Sequence, residues 1–234
     1  MNRAFRFSSP ALAVAAALAA ALAVSAVHAQ TTAPRQPAPS LARPTSPAKA
    51  PDADGFLLRW LILEPLPISG QLTENAVRTT IGRDDIRRQL TMLPRAGDTD
   101  TIGDATLTWH AVDTRAYNVN LYHFAYALNK PTSNVLFSVA TVVHAPRDLT
   151  DVRLAIGSNA ASIWWVDGRE VIGIYNDRQT VIDDGVSKRL TLKQGANVIR
   201  AAILNAGGAT DFCARFLDAQ DRPIKNITVS LSER

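Results

Sequence analysis

The chain has 234 residues, 25 of them Lys or Arg against 21 Asp or Glu, and a formal charge of +4. That excess lies at the N-terminal end: from Asp52 onward 20 basic residues face 21 acidic ones with no Lys or Arg run, which argues against nucleic acid as a partner. Cys213 is the single cysteine, so no internal disulfide can form.

The first residues read as an export signal. Arg3 and Arg6 precede an apolar run over residues 11–27, and Val27-His28-Ala29 is a small-x-small triplet that places cleavage after Ala29. The run is mostly alanine, a poor permanent anchor beside the roughly 20 strongly apolar residues of a membrane span. Residues 1–29 are therefore expected to be removed, leaving no stable span and an exported chain, periplasmic or secreted; a retained signal anchor is the alternative. No cysteine near the cut could accept a lipid. Residues 30–55 are rich in Pro and Ala, cannot bury enough apolar surface to offset chain entropy, and are expected to form a disordered, extended tether. Residues 56–234 suffice for one folded unit with its own core.

In that unit short apolar or alternating runs are separated by turn residues, the pattern of an antiparallel β-sandwich. FLLRWLIL (56–63) is apolar on nearly every position and predicts a strand covered on both faces, closed by Pro65 and Pro67. RDDIRRQLTML predicts one short helix over residues 84–93: Asp84 or Asp85 suits its start, Pro94 ends it, and Ile86, Leu90 and Leu93 share a face that suits docking at a sheet edge or end. Strands are then predicted over 106–112, 119–125, 135–145, 151–158, 162–166, 169–175, 188–193, 197–206, 210–218 and 227–232. The expected fold is all-β: a two-sheet, jelly-roll-like sandwich with one minor helix.

The chain lacks the motifs of common hydrolases: no Gly-x-Ser-x-Gly, no His-Glu-x-x-His and no Gly-rich phosphate loop. His110, His123 and His144 each lie beside hydrophobic residues in a strand-like run, far apart and with no carboxylate pattern beside them, so neither a catalytic nor a metal site is expected. Asp98, Asp100 and Asp104 around Gly103 resemble a calcium loop superficially, but Ile102 and Trp109 stand where an EF-hand needs oxygen ligands. A solvated turn is the favoured reading there, and a looser structural calcium site the alternative. Asp183-Asp184-Gly185 reads as a polar turn. Cys213, in the alternating DFCARF, is expected to be a packed structural thiol.

Two of the four tryptophans are adjacent, in ASIWWVDGREVIG (161–173). Side chains alternate along a strand, so Trp164 and Trp165 point to opposite faces and cannot form one sugar platform. Asp167-Gly168 is a preferred pair for a type I′ turn, which makes the stretch a hairpin with at least one tryptophan in the core. Asn197 and Asn205 are expected to tie turns through their amides, and Arg215 either to pair with an acid or to lie at a loop-end pocket.

The strings DVRLAIGSNAASIWWVDGREV, LTLKQGANVIRAAILN and DFCARFLDAQDRPIKN resemble the galactose-binding-domain-like β-sandwiches of bacterial exported carbohydrate-active proteins. The matches are Gly157-Ser158-Asn159, Trp165-Val166-Asp167-Gly168, and Leu192 with Gly195 and Asn197. PRAGDTDTIGDATLTWHAV resembles the segment that leads into that sandwich where it accompanies acetyl-xylan esterase or glycoside hydrolase domains. The family's acidic pair after Gly-Ser is here Asn159-Ala160, and no catalytic domain follows. The resemblance implies a non-catalytic binding module for a glycan or a cell-envelope partner. Its ligand is expected among Asn159, Tyr175, Asn176, Asp177 and Arg178, where an aromatic face stands beside hydrogen-bonding groups. The alternatives are a structural or assembly protein of the envelope, and an accessory protein of the acetyl-xylan-esterase or glycoside-hydrolase type.

Overall fold

A computed structural model describes residues 41–88 and 91–233. In chain order β1 (Leu41–Ala42), β2 (Ala48–Lys49), β3 (Arg59–Leu63) and β4 (Leu66–Pro67) precede helices α1 (Glu74–Ile81) and α2 (Asp84–Arg87). Next come β5 (Thr99–Ile102), β6 (Ala105–Thr114), β7 (Val119–Asn120), α3 (Leu121–Ala127), β8 (Val135–Ala145), β9 (Leu149–Ser158), β10 (Ala161–Val166) and β11 (Arg169–Ile174). The remainder is β12 (Gly185–Val186), β13 (Leu190–Leu192), β14 (Gly195–Asn205), β15 (Asp211–Leu217) and β16 (Thr228–Ser230). All strand pairings are antiparallel.

The strands form two sheets, as alternation predicts. The larger follows the order β1-β6-β3-β8-β14-β10-β11, and the smaller β12-β9-β15-β7. Trp60, Phe137, Trp164, Ile199, Phe212 and Phe216 fill the space between them. The large sheet is also covered on its other face: Leu61, Leu63, Ala140, Ile163, Ala202 and Leu204 pack with Val77, Ile81 and Ile86 of the helices and with Ile102 of β5. This double cover explains why β3 is buried at all five positions and β8 at all but His144.

Three helices stand among the described residues where one was expected. α1 has ordinary start signals: the Thr73 hydroxyl accepts from the Ala76 amide at 3.4 Å, and Val77 and Ile81, one turn apart, are its buried residues. The predicted helix at 84–93 is regular only over Asp84–Arg87, and Ile86 docks on the face of the large sheet rather than its edge or end. Leu90 lies outside the described residues. The strand predicted over 119–125 is corrected. Only Val119–Asn120 pair with β15, after which the Asn120 side chain accepts from the His123 amide at 2.7 Å and opens α3. Leu121, Phe124 and Ala125 are then buried at helical spacing.

The predicted tether is corrected in its described part. Leu41–Ala42 pair with Thr114 and Asp113 of β6, and Ala48–Lys49 with Ser230 and Val229 of β16. A buried arginine holds the strap between them: Arg59 donates to both Asp113 carboxylate oxygens at 2.8 and 2.9 Å and to the Ser46 carbonyl at 2.7 Å. The rest of the predicted tether up to Ser40, and the predicted signal over 1–29, lie outside the described residues.

Candidate functional site

The site is built on the hairpin β10–β11. Asp167 and Gly168 both have positive φ, 48° and 76°, as a type I′ turn requires. The Asp167 carboxylate accepts from the Val198 amide at 2.7 Å while its own amide donates to the Val198 carbonyl at 2.9 Å, pinning the turn to β14. Alternation separates the tryptophans. Trp164 is fully buried between the sheets, edge-on to Trp60 at 6.0 Å and to Phe212 at 5.5 Å, and its indole N–H donates to the Ser162 hydroxyl at 2.9 Å. Trp165 lies half-buried on the outer face. There it stands opposite Arg200 of β14 on one side and Glu170 of β11 on the other. A bulge between Trp164 and Trp165 shifts the β11 register and brings Glu170 beside the indole.

This row, Arg200-Trp165-Glu170, floors an open groove of about 710 Å³ walled by Arg78 of α1 and Arg87 of α2. Arg78 donates to Glu170 at 3.0 and 3.2 Å and to Glu74 at 2.9 Å, and these bonds hold its pKa above the usual guanidinium range. The same guanidinium lies 5.7 Å from the centre of the Tyr175 ring. That ring folds back over Gly173, where a Cβ would come within 2.5 Å of the phenol oxygen, so glycine is what admits it. Burial pushes the Tyr175 phenol up. Arg200 is 5% exposed and donates to the Met92 carbonyl. Burial pulls its pKa down, and the Glu233 carboxylate, which lines the same groove, opposes the shift. The arrangement presents an aromatic face, guanidinium donors and a carboxylate acceptor in one open trough.

The predicted site residues divide. Tyr175 belongs with this groove through Arg78. Asn159 and Arg178 meet elsewhere, at a loop end of the sandwich: the Arg178 amide donates to the Asn159 carbonyl at 3.2 Å and the Asn159 amide to the Asp211 carbonyl at 3.0 Å. Arg178 also pairs with Asp184. Asn176, at φ 68°, donates its amide to the Leu72 carbonyl at 2.8 Å, and Asp177 is exposed. Sequence reading passed over Arg78, Arg87, Glu170, Arg200 and Glu233. The one local signal was Arg200, a charge in the otherwise apolar VIRAAIL.

Other chemistry-bearing residues have ordinary partners. His110 faces Glu64 at 3.4 Å, and His123 is exposed on α3. The nearest approach to a nucleophile and base is Ser230 with His144, 2.7 Å from hydroxyl to Nε2. The Ser230 hydroxyl, however, also lies 2.6 Å from the Ser232 carbonyl, and Nε2 itself 3.2 Å from that same carbonyl. A carbonyl only accepts, so the proton order runs from imidazole to serine to carbonyl, the reverse of what activation needs. Asp98 accepts from the Arg95 amide and Asp100 from the Trp109 indole, each at 2.7 Å, and no three His, Cys, Asp or Glu converge among the described residues. Asp183 pairs with Arg215 and Asp184 with Arg178, so the two carboxylates diverge. Burial pushes the Cys213 thiol up to about 12, which keeps it protonated and inert. Asn197 and Asn205 tie turns, through bonds to Lys193 and Gly195 and to Thr132 and Gly207.

No protein-family model matches the chain, and neither does any curated protein. Among solved structures it is similar to a PA14 sugar-binding domain from an RTX adhesin, at 10% identity and TM-score 0.46, over 73% of this chain and 96% of that one. It is similar also to the PA14 domain of the antifreeze protein MpAFP, at 13% identity and TM-score 0.43, over 78% and 94% of the two chains. A third is a β-glucosidase from Kluyveromyces marxianus in complex with glucose, at 14% identity and TM-score 0.37, of which 16% is covered by 68% of this chain. Likeness at this level assigns no function to the chain.

Proposed function

We propose that the chain is an exported, non-catalytic β-sandwich module that binds a glycan in the groove over Trp165. One observation carries this reading: a half-buried indole lies in an open trough with Arg200 and Glu170 in register on either side. A sugar ring offers an apolar face to an aromatic plane and hydroxyls to flanking donors and acceptors. The galactose-binding-like kinship belongs to the same reading, supported by the work that Trp165-Val166-Asp167-Gly168 and Asn197 do as hairpin and turn. Export rests on the leader-like residues 1–29. The loop end at Asn159 and Arg178 is the second candidate surface, favoured by the Thr210 hydroxyl and the Arg178 Nε, both buried with no partner.

The test is retention of the full chain on immobilised plant, bacterial and host polysaccharides. Retention that Trp165→Ala removes and Arg178→Ala leaves intact supports the groove, and the converse moves the site to the loop end. Indifference to every glycan, together with a single cross-linked protein partner in the native cell, would replace this reading with the envelope-assembly one. Turnover of acetylated xylan or aryl acetates that depends on His144 or Ser230 would overturn the non-catalytic assignment.

A further inference from the structure

At the end of the small sheet away from Asn159, the turn from β8 to β9 and the loop from β15 to β16 enclose an open pocket of about 550 Å³. Arg147 and Lys225 both line it, each three residues beyond the His144–Thr228 pair of β8 and β16. Neither side chain has a hydrogen bond, ion pair or ring contact among the described residues. The Thr150 hydroxyl and the Asn226 amide, also in the lining, make no bonds there either. The two carboxylates of the lining are already engaged. Asp148 accepts from the Gln194 amide at 2.8 Å and from the Lys193 ammonium at 3.4 Å. Asp218 accepts from the Gln220 and Arg222 amides at 2.8 and 2.9 Å and from the Arg222 guanidinium at 3.0 Å. The Gln194 and Arg222 amides, first among these donors, hold both carboxyls below the usual carboxylate range. Nearby Asp221 lies 3.6 Å from Arg153 and 3.5 Å from Arg189, and Asp151, whose carboxylate is unpaired, does not line the pocket. Six Lys or Arg thus stand here against four Asp, and the unpaired cations are those of the lining.

We propose that this pocket is a site for a phosphoryl group, held between Arg147 and Lys225, with Thr150 and Asn226 donating to its remaining oxygens. The site is separate from the groove over Trp165 and does not depend on the glycan reading. A phosphate monoester carries a charge of about −1.5 to −2 at neutral pH and three strong acceptor oxygens, a match for two free cations and two neutral donors. An arginine fork and a lysine point charge bind such a group through charge-assisted bonds, the stronger kind. A carboxylate carries a single charge and would leave one of the two cations without a counterion. Val152 and Ile224, both buried, supply an apolar wall for the carbon body of an ester. Lys193 and Arg222 stay on their own carboxylates throughout, so binding displaces no existing pair.

The experiment is isothermal titration of the full chain with inorganic phosphate, glycerol 3-phosphate and acetate, beside flotation with phosphatidylcholine vesicles with and without phosphatidic acid. Both phosphates should bind, at least about tenfold tighter than acetate, and less tightly as salt is raised. Arg147→Gln and Lys225→Gln should each weaken them about tenfold, and the double variant should abolish binding. Trp165→Ala in the groove, and Arg169→Gln, a surface cation on the other sheet, should leave phosphate binding unchanged. Arg147 and Lys225 are exposed, so their variants should melt like the parent. Capture by the phosphatidic acid vesicles that the double variant loses makes a lipid headgroup the source of the phosphoryl group, whereas binding of the soluble phosphates alone makes it a free ligand; either supports the site. Failure of phosphate, glycerol 3-phosphate and vesicles alike to bind, binding that survives loss of both cations, or equal affinity for acetate overturns the proposal.

Discussion

Replacing each tryptophan of the hairpin by alanine separates core from site. Trp164 is 0% exposed, touches two aromatic rings edge-on and donates to the Ser162 hydroxyl. Truncating a fully buried tryptophan costs about 3–5 kcal/mol, and the two aromatic contacts favour the upper half of that range. For a folded unit of this size each kcal/mol lowers the melting temperature by roughly 2–4 °C, so Trp164→Ala should melt ~8–20 °C below the parent. Trp165 keeps part of its ring in solvent, and its loss should cost about 1 kcal/mol from the area uncovered. Urea unfolding followed by circular dichroism reads the first effect, and retention of the folded variant on the ligand polysaccharide reads the second. Trp164→Ala should bind like the parent at temperatures where it is folded, and Trp165→Ala should be stable and fail to bind. Equal destabilisation by the two substitutions, or full retention by Trp165→Ala, would refute the division of labour between the two faces.

Three further outcomes follow from buried charges and from the thiol. Arg59→Ala leaves the Asp113 carboxylate and the Ser46 carbonyl without their donor and should cost about 3–5 kcal/mol in urea unfolding, whereas breaking a solvent-screened surface pair such as Lys193 with Asp148 should leave the unfolding midpoint nearly unchanged. Burial pushes the Glu64 carboxyl up, but bonds from Lys130 and His110 outweigh it and set its pKa below the ordinary value. Its contribution to stability is therefore complete above the unfolded glutamate pKa and is lost as pH falls through the folded one. Glu64→Gln should flatten the decline of stability below about pH 4 and lower stability at pH 7. Cys213 should resist iodoacetamide at pH 8 in the native protein and react fully in urea, as mass spectrometry of the intact chain would register.

The sandwich was legible because period-two alternation and turn residues are local signals. The β10–β11 hairpin lies within one residue of its predicted bounds, and Asp167-Gly168 announces its turn. α3 was misread because Leu121, Phe124 and Ala125 satisfy the helical period within a run that also supports a strand; the Asn120 cap decides between them. The strap was misread because a proline-rich composition describes weak self-burial, and what fixes residues 41–49 is a distant arginine. The groove lay beyond local reading for the same reason. Its floor joins positions 165, 170 and 200 through strand register, and its walls come from α1, which was not predicted, and from α2, which was expected at a sheet edge or end. Tyr175 reached the groove, but Arg178, three residues on, bonds to Asn159 at a loop end of the sandwich, while Asn176 bonds to the Leu72 carbonyl.

The strap along residues 41–49 also has a mechanical consequence. β1 and β2 each align only two residue pairs with the large sheet, ladders that would open stepwise under a pull applied from the N-terminal side. Arg59 grips Ser46 between them and links it to Asp113 on β6, while Lys49 lies 3.9 Å from the same carboxylate. A load entering through the strap is therefore shared among β3, β6 and β16 from the outset, and extension by an optical trap should meet one rupture event at the clamp instead of gradual peeling.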